Sequence, residues 1–157
     1  MPTLIAYMTR HGCAERAAHS IKNIIGESTD LINLRNKRRV DISAYDTVII
    51  GGSVHAGMVQ KRVRKFCEKN KEELLEKRLG LFLCCMYEGE TAEKQFEDAF
   101  EEELRKHAVA TGLFGGEFNF AKMNFIERRI VTKIADITES ISRIDEKTIG
   151  QFAGKFL

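Results

Sequence analysis

The sequence predicts a three-layer α/β/α sandwich around a five-stranded parallel sheet in the order 2-1-3-4-5, and three patterns carry that prediction. Near-continuous apolar runs at Leu4–Met8, Val48–Ile50 and Leu79–Met86 read as strands buried on both faces. Segments with apolar residues three or four apart read as amphipathic helices. The two kinds of segment alternate along the chain, as a parallel sheet with crossover helices requires.

The first strand spans about Thr3–Met8. A helix over Cys13–Gly26 follows, with Ala14, Ala17, Ala18, Ile21 and Ile25 inward and Gly26 suited to its C-terminal cap. Asp30–Leu34 is a short second strand. Arg35-Asn36-Lys37-Arg38-Arg39 then reads as a solvated basic loop. Thr47–Gly52 is a central strand ending at its glycines, and Ser53–Met58 is the loop after it. Val59, Val63, Phe66, Cys67 and Leu74 mark the next helix, whose outer face carries Lys61, Arg62, Arg64 and Lys65.

The fourth strand, Leu79–Met86, leads through Tyr87–Glu90 into one helix with Ala92, Phe96, Ala99, Phe100 and Leu104 inward. Eight acidic residues between Glu88 and Glu103 make this the negative side of the molecule. The fifth strand is about Ala108–Phe114. Met123, Ile126, Ile130, Ile134, Ile137, Ile141 and Ile144 predict a long amphipathic helix, interrupted near Thr138 or Ser140. Asp145 reads as the N-cap of a last helix with Ile149, Phe152, Ala153 and Phe156 inward.

With 157 residues, 43% of them hydrophobic and 31% charged, one globular domain over residues 1–157 is expected. No apolar run approaches the roughly 20 residues of a membrane-spanning helix. The chain opens straight into its first strand, so no signal peptide is expected. Cys13, Cys67, Cys84 and Cys85 have neither C-x-x-C spacing nor the look of a disulfide framework. They read as reduced core residues of a cytoplasmic protein, with a redox-active Cys84–Cys85 pair as the alternative. Neither a metal site nor a nucleic-acid partner is expected.

In an open parallel sheet of this order, a ligand lies outside the carboxyl ends of the strands, where strand order reverses between strands one and three. Three loops converge there: Thr9–Ala14, Ser53–Met58 and Met86–Glu90. In the first, a strand turns through Thr9-Arg10-His11-Gly12 into a helix. Backbone N–H groups and the helix dipole would favour an anion such as phosphate. Gly12 permits close approach, Thr9 offers a hydroxyl, and Arg10 or His11 offers charge. The bland alternative is an ordinary strand–loop–helix without a ligand. The glycines at 52, 57 and 89, with His55 and Tyr87, suit a flat ring between the other two loops.

Thr9-Arg10-His11-Gly12, the segment Val48–Gly57 and the aromatic and basic stretch Gly112–Arg129 together resemble the flavodoxin superfamily. The closest resemblance is to its menaquinone-dependent protoporphyrinogen dehydrogenase branch. The resemblance implies a flavodoxin-like fold and flavin mononucleotide (FMN) as cofactor. It assigns phosphate contacts to Thr9, Arg10, His11, Gly12, Cys13 and Ala14. Ring contacts fall on Ser53, Val54, His55, Ala56 and Gly57 and on Met86, Tyr87, Glu88 and Gly89. The usual first loop carries three hydroxyl residues, T/S-x-T-G-x-T. Here His11 and Ala14 replace two of them, which leaves backbone N–H groups as the main donors.

No side chain stands out as a general acid or base, and the catalytic residues are unknown. His55 is the one titratable side chain expected near the ring, with ring packing as its plainer role. The resemblance implies an FMN-dependent oxidoreductase of heme biosynthesis, oxidising a porphyrinogen with a quinone acceptor. The alternatives are an electron carrier to soluble protein partners and a cofactor-free interaction domain. Electron-carrying members of the family are strongly acidic, whereas this chain has net charge +2. The basic clusters therefore point to an anionic substrate or to peripheral contact with the inner face of a membrane.

Overall fold

The computed structural model describes residues 2–9, 12–36, 39–55, 58–85, 89–115, 117–118, 141–142 and 144–157. Strands β1 (Thr3–Tyr7), β2 (Thr29–Asn33), β3 (Thr47–His55), β5 (Arg78–Cys84) and β6 (Ala110–Leu113) form a parallel sheet in the order β2-β1-β3-β5-β6. A two-residue strand, β4 (Met58–Val59), pairs antiparallel with the end of β3. Without that addition the order is the expected 2-1-3-4-5. A separate antiparallel pair joins β7 (Glu117–Phe118) to β8 (Ile141–Ser142).

Alternate residues of each strand feed opposite layers. Leu4, Ala6, Val48, Ile50, Leu79, Leu81 and Leu83 pack against α2 (Lys61–Leu74), α3 (Gly89–Ala99) and α4 (Glu102–His107). Ile5, Tyr7, Ile49, Phe82 and Cys84 pack against α1 (Cys13–Ile25) and α5 (Glu146–Gly154). Both faces of the sheet are therefore covered, which is why its central strands read as unbroken apolar runs.

The caps follow the sequence. Gly26 closes α1 at φ 116°, donating its N–H to the Lys22 carbonyl at 2.8 Å. Asp145 caps α5, accepting from the Thr148 N–H at 3.0 Å. The two Thr148 hydrogen bonds hold the Asp145 carboxyl below its ordinary value of 3.8. The folded value lies below the unfolded one, so the cap's contribution is complete above that ordinary value and fades as pH falls through it. Asp145→Ala is expected to lower the melting temperature by a few degrees at pH 7 and by less near pH 3, by thermal unfolding followed by circular dichroism.

Four expectations need correction. Gly51-Gly52 do not end β3, which continues to His55; Ser53–Met58 is therefore not a simple loop but the rise into the β3–β4 hairpin. Both glycines answer close approach. A Cβ on Gly51 would lie 1.9 Å from the Phe82 ring, and one on Gly52 2.6 Å from Val59.

The acidic helix is two helices, α3 and α4, separated at Phe100-Glu101. Three consecutive carboxylates, Glu101–Glu103, sit poorly at the end of a helix but well at the start of one. Cys85 follows β5 rather than belonging to it, and Met86 lies outside the described residues. Finally, Ile141 belongs to β8 rather than to a long helix. The rest of that expected helix, 122–140, lies outside the described residues, and Ile144 is placed in the segment leading to α5.

Candidate functional site

The strand order reverses between β1 and β3, and β3 outruns its neighbour. Tyr7, the last residue of β1, sits opposite Gly51, so Gly52–His55 project beyond it. Opposite Ser53 lies Cys84, the end of β5. The carboxyl ends of β1, β3 and β5 thus lie together at one end of the sheet.

After β1, the Gly12 N–H donates to Thr9 Oγ1 at 2.8 Å. Gly12 is the N-cap of α1 at φ 98° and ψ −7°, a left-handed conformation natural to glycine. The first N–H to bond within the helix frame is that of Arg16, to the Gly12 carbonyl at 2.9 Å. Gly12 has no side chain with which to cap this helix end, and no side chain among the described residues caps it. By helix geometry the N–H groups of Cys13, Ala14 and Glu15 have no intrahelical acceptor, and among the described residues the positive end of the 13-residue helix dipole is left open. Thr9 Oγ1 accepts from Gly12 and keeps its own proton to donate. Cys13 and Ala14 are buried in the core beneath α1, so only their backbones face the turn. The Ala14 side chain thus packs inward.

One residue that the motif comparison misses holds this edge together. Gln60, at the N-cap of α2, accepts from the Ser53 N–H at 2.9 Å and donates to the Met8 carbonyl at 3.3 Å. It ties the loop after β1 to the end of β3. No spacing in the sequence marks it; only the β3–β4 reversal brings it back beside residue 8. Ser53 Oγ is buried with no hydrogen-bond partner among the described residues.

On the other side, the Gly115 carbonyl accepts from the Cys85 N–H at 2.7 Å and lies 4.0 Å from Cys13 Sγ. It links the ends of β5 and β6 to the start of α1.

Of the predicted residues, Thr9, Gly12, Cys13 and Ala14 form the first turn and Ser53 and Val54 line the end of β3. His55 pairs with Met58 in the hairpin, and Gly89 starts α3 at φ 62°. Arg10, His11, Ala56, Gly57, Met86, Tyr87 and Glu88 lie outside the described residues. A cleft of about 460 Å³ begins at Gly12 but runs along the outer flank of α1, past Glu15, His19 and Asn23 to Glu146. It lies beside the turn, not over the strand ends. Tyr7, beneath α1, has its phenol pKa raised, first by burial and then by the Glu15 charge.

All four cysteines are free thiols and buried. Cys84 and Cys85 side chains part company. Cys84 joins the α1/α5 layer, whereas the Cys85 thiol donates to Gln95 Oε1 at 2.6 Å. Burial, reinforced by Glu101 and Glu68, pushes the Cys67 thiol up to about 12. At pH 8 only on the order of one Cys67 in ten thousand is thiolate. Iodoacetamide is expected to leave Cys67 unlabelled in the folded protein and to alkylate it after unfolding, as peptide mass mapping would read.

Among the described residues no group of three or more His, Cys, Asp or Glu side chains could hold a metal, and no helix is long and apolar enough to cross a membrane.

The fold has many relatives among solved structures. The oxidised flavodoxin 1 of Bacillus cereus superposes with a TM-score of 0.64 at 16% identity, covering 98% of this chain and 96% of that one. The two-electron reduced flavodoxin of Megasphaera elsdenii gives 0.61 at 16%, covering 98% of each. The rubredoxin:oxygen oxidoreductase of Desulfovibrio gigas gives 0.56 at 14%, over 98% of this chain but 36% of that longer one. At such identities the likeness is one of fold. No curated protein sequence matches the chain significantly. The family model described as "Flavodoxin domain" matches residues 4–145, from the start of β1 to the cap of α5. Sheet order, open helix end and sequence profile agree: the chain belongs to the flavodoxin domain family.

Proposed function

We propose that this protein binds FMN at the carboxyl ends of β1, β3 and β5 and serves as an electron carrier between protein partners. The observation that carries the reading is the open N-terminus of α1 at the topological switch point, with left-handed Gly12 and the Thr9 hydroxyl beside it. Three backbone N–H groups, the helix dipole and one hydroxyl are a sufficient donor set for a phosphate. Ser53 Oγ, at the end of β3, is buried with no hydrogen-bond partner among the described residues, a polar atom left for a bound group to satisfy. Ser53, Val54 and His55 are the described residues proposed for the ring. Ala56, Gly57, Met86, Tyr87, Glu88 and Gly89, with Arg10 and His11 at the phosphate, complete the proposed set from the sequence.

When bound, FMN supplies one- and two-electron chemistry, while the chain binds and orients it. Gln60 holds the phosphate turn and the end of β3 in fixed relation. The resemblance over Val48–Gly57 and the net charge of +2 favour a second reading, an oxidoreductase of the protoporphyrinogen dehydrogenase type with a quinone acceptor at a membrane surface. The family match supports the flavin reading without reaching that branch.

The test is spectroscopic. The purified protein is expected to be yellow, or to become so on adding FMN, with saturable quenching of flavin fluorescence. A colourless protein that does not take up FMN would remove both readings and leave a cofactor-free interaction domain. With flavin in place, turnover of a porphyrinogen with a menaquinone analogue would favour the second reading over the first.

A further inference from the structure

The N-terminal half of α2 carries its charge the wrong way round. Lys61, Arg62, Arg64 and Lys65 crowd the positive end of the helix dipole, and its first turn contains no acidic residue. Cations there oppose the dipole. Lys61, Arg64 and Lys65 are exposed, and no carboxylate among the described residues pairs with them. Arg62 is held by backbone carbonyls, but Lys61, Arg64 and Lys65 oppose the dipole with no compensating carboxylate among the described residues, an arrangement that suits a negatively charged partner.

Lys61 follows Gln60, the residue that clamps the proposed flavin site, and Met58, 60% exposed, stands just before it on the hairpin. Beside the helix, a cleft of about 280 Å³ has Leu34, Val40 and Phe66 at its floor and Lys65 and Lys69 at its rim. Arg62 braces one wall by donating to the Leu34 and Arg35 carbonyls. The basic face stops where Lys71 meets Glu101 at 2.6 Å and Glu103 at 3.0 Å, and the acidic α4 begins.

We propose that this face docks an acidic protein, the electron-transfer partner of the neighbouring site, with carboxylates on the Lys61–Lys69 rim and one apolar side chain in the cleft. A protein fits better than a lipid surface. Val63, Phe66, Cys67 and Leu74 are all buried, so α2 has no apolar face to insert into a bilayer, and the cleft is concave. Exposed charge around a small apolar anchor suits a transient complex that forms fast and releases. The proposal rests on the flavin reading for its redox role alone; the docking itself does not require the cofactor.

The experiment uses the full chain labelled with ¹⁵N, titrated with a plant-type [2Fe–2S] ferredoxin as the acidic probe and a c-type cytochrome as the basic control. Amide shifts are expected over Met58–Lys69 with the ferredoxin, with affinity falling at least about tenfold between low and moderate salt. The triple variant Lys61→Glu, Arg64→Glu, Lys65→Glu is expected to weaken binding by a similar factor. It should fold at least as well as the parent, because acids suit this end of the helix, so lost binding is not lost folding.

No ferredoxin binding at low salt, shifts confined to other faces, or tighter binding of the cytochrome would overturn the proposal. So would tighter binding of phosphatidylglycerol vesicles through α2 at the same salt, which would make the face a lipid surface. Flavin content is measured separately. A colourless protein that binds ferredoxin on α2 loses the cofactor reading and keeps the docking face; a yellow one that ignores ferredoxin loses the docking face alone.

Discussion

Gly51→Ala is expected to destabilise the protein by about 3 kcal/mol or more, and Gly51→Val to leave no folded protein at 37 °C. In an open strand, alanine would be the better residue by roughly 0.5–1 kcal/mol. Here the sign reverses, because a Cβ at Gly51 would sit 1.9–2.2 Å from three atoms of the Phe82 ring. That ring cannot step aside. Phe82 is fully buried, stacked on Phe114 at 5.0 Å between centroids and met edge-on by Phe152 at 6.1 Å. Urea unfolding of Gly51→Ala, Phe82→Leu and the double variant would check the mechanism. A shorter, flexible side chain at 82 should recover part of the loss, giving a favourable coupling of about 1 kcal/mol or more. Gly150, in the middle of α5 with nothing near its missing Cβ, is the control. Gly150→Ala should stabilise by about 0.5–1 kcal/mol. Parental stability in Gly51→Ala would mean that the Phe82 contact does not constrain β3.

The same pair of glycines marks the boundary of what the sequence makes legible. Strands and helices are readable because burial on both sheet faces leaves unbroken apolar runs, and one-sided burial leaves a stripe three or four residues apart. Asp145 is readable because capping is local: donor and acceptor lie three residues apart. Gly51-Gly52 mislead because glycine has two uses, turning a chain and letting another group come close. For Gly51 that group, Phe82, is distant in sequence, and for Gly52 it is Val59, brought back by the hairpin. Gln60 is illegible for the same reason, since its partners Ser53 and Met8 meet it only after the hairpin forms. The break between α3 and α4 is a matter of charge, and a hydrophobic stripe that includes Leu104 runs through it undisturbed. At the candidate site, the first turn is legible as a motif. That the Cys13 and Ala14 side chains turn into the core follows from their burial against the sheet, which a motif does not record.

Gly12→Val is expected to raise the dissociation constant for FMN by about 10- to 100-fold, whereas Cys13→Ser should change it by no more than about threefold. Two effects act at Gly12. Its φ of 98° is a conformation that a β-branched residue resists, so valine would pull the N-cap of α1 toward negative φ and turn the donors away from their common focus. The branched side chain would also stand where a phosphate must approach. Cys13, one residue on, has its side chain buried and its thiol 4.0 Å from the Gly115 carbonyl. Serine can keep that contact and leaves the backbone N–H in place. The comparison separates a binding loop from a structural turn. If Gly12 matters only for folding, Gly12→Val will lower the melting temperature and flavin affinity will follow the folded fraction. If it shapes an anion site, the well-folded fraction will itself bind weakly, and the added loss will be larger for FMN than for riboflavin, which lacks the phosphate. Fluorescence titrations with both flavins, on protein whose folding is checked by circular dichroism, decide between them. Equal affinities for FMN in the two variants would remove this turn from the phosphate site.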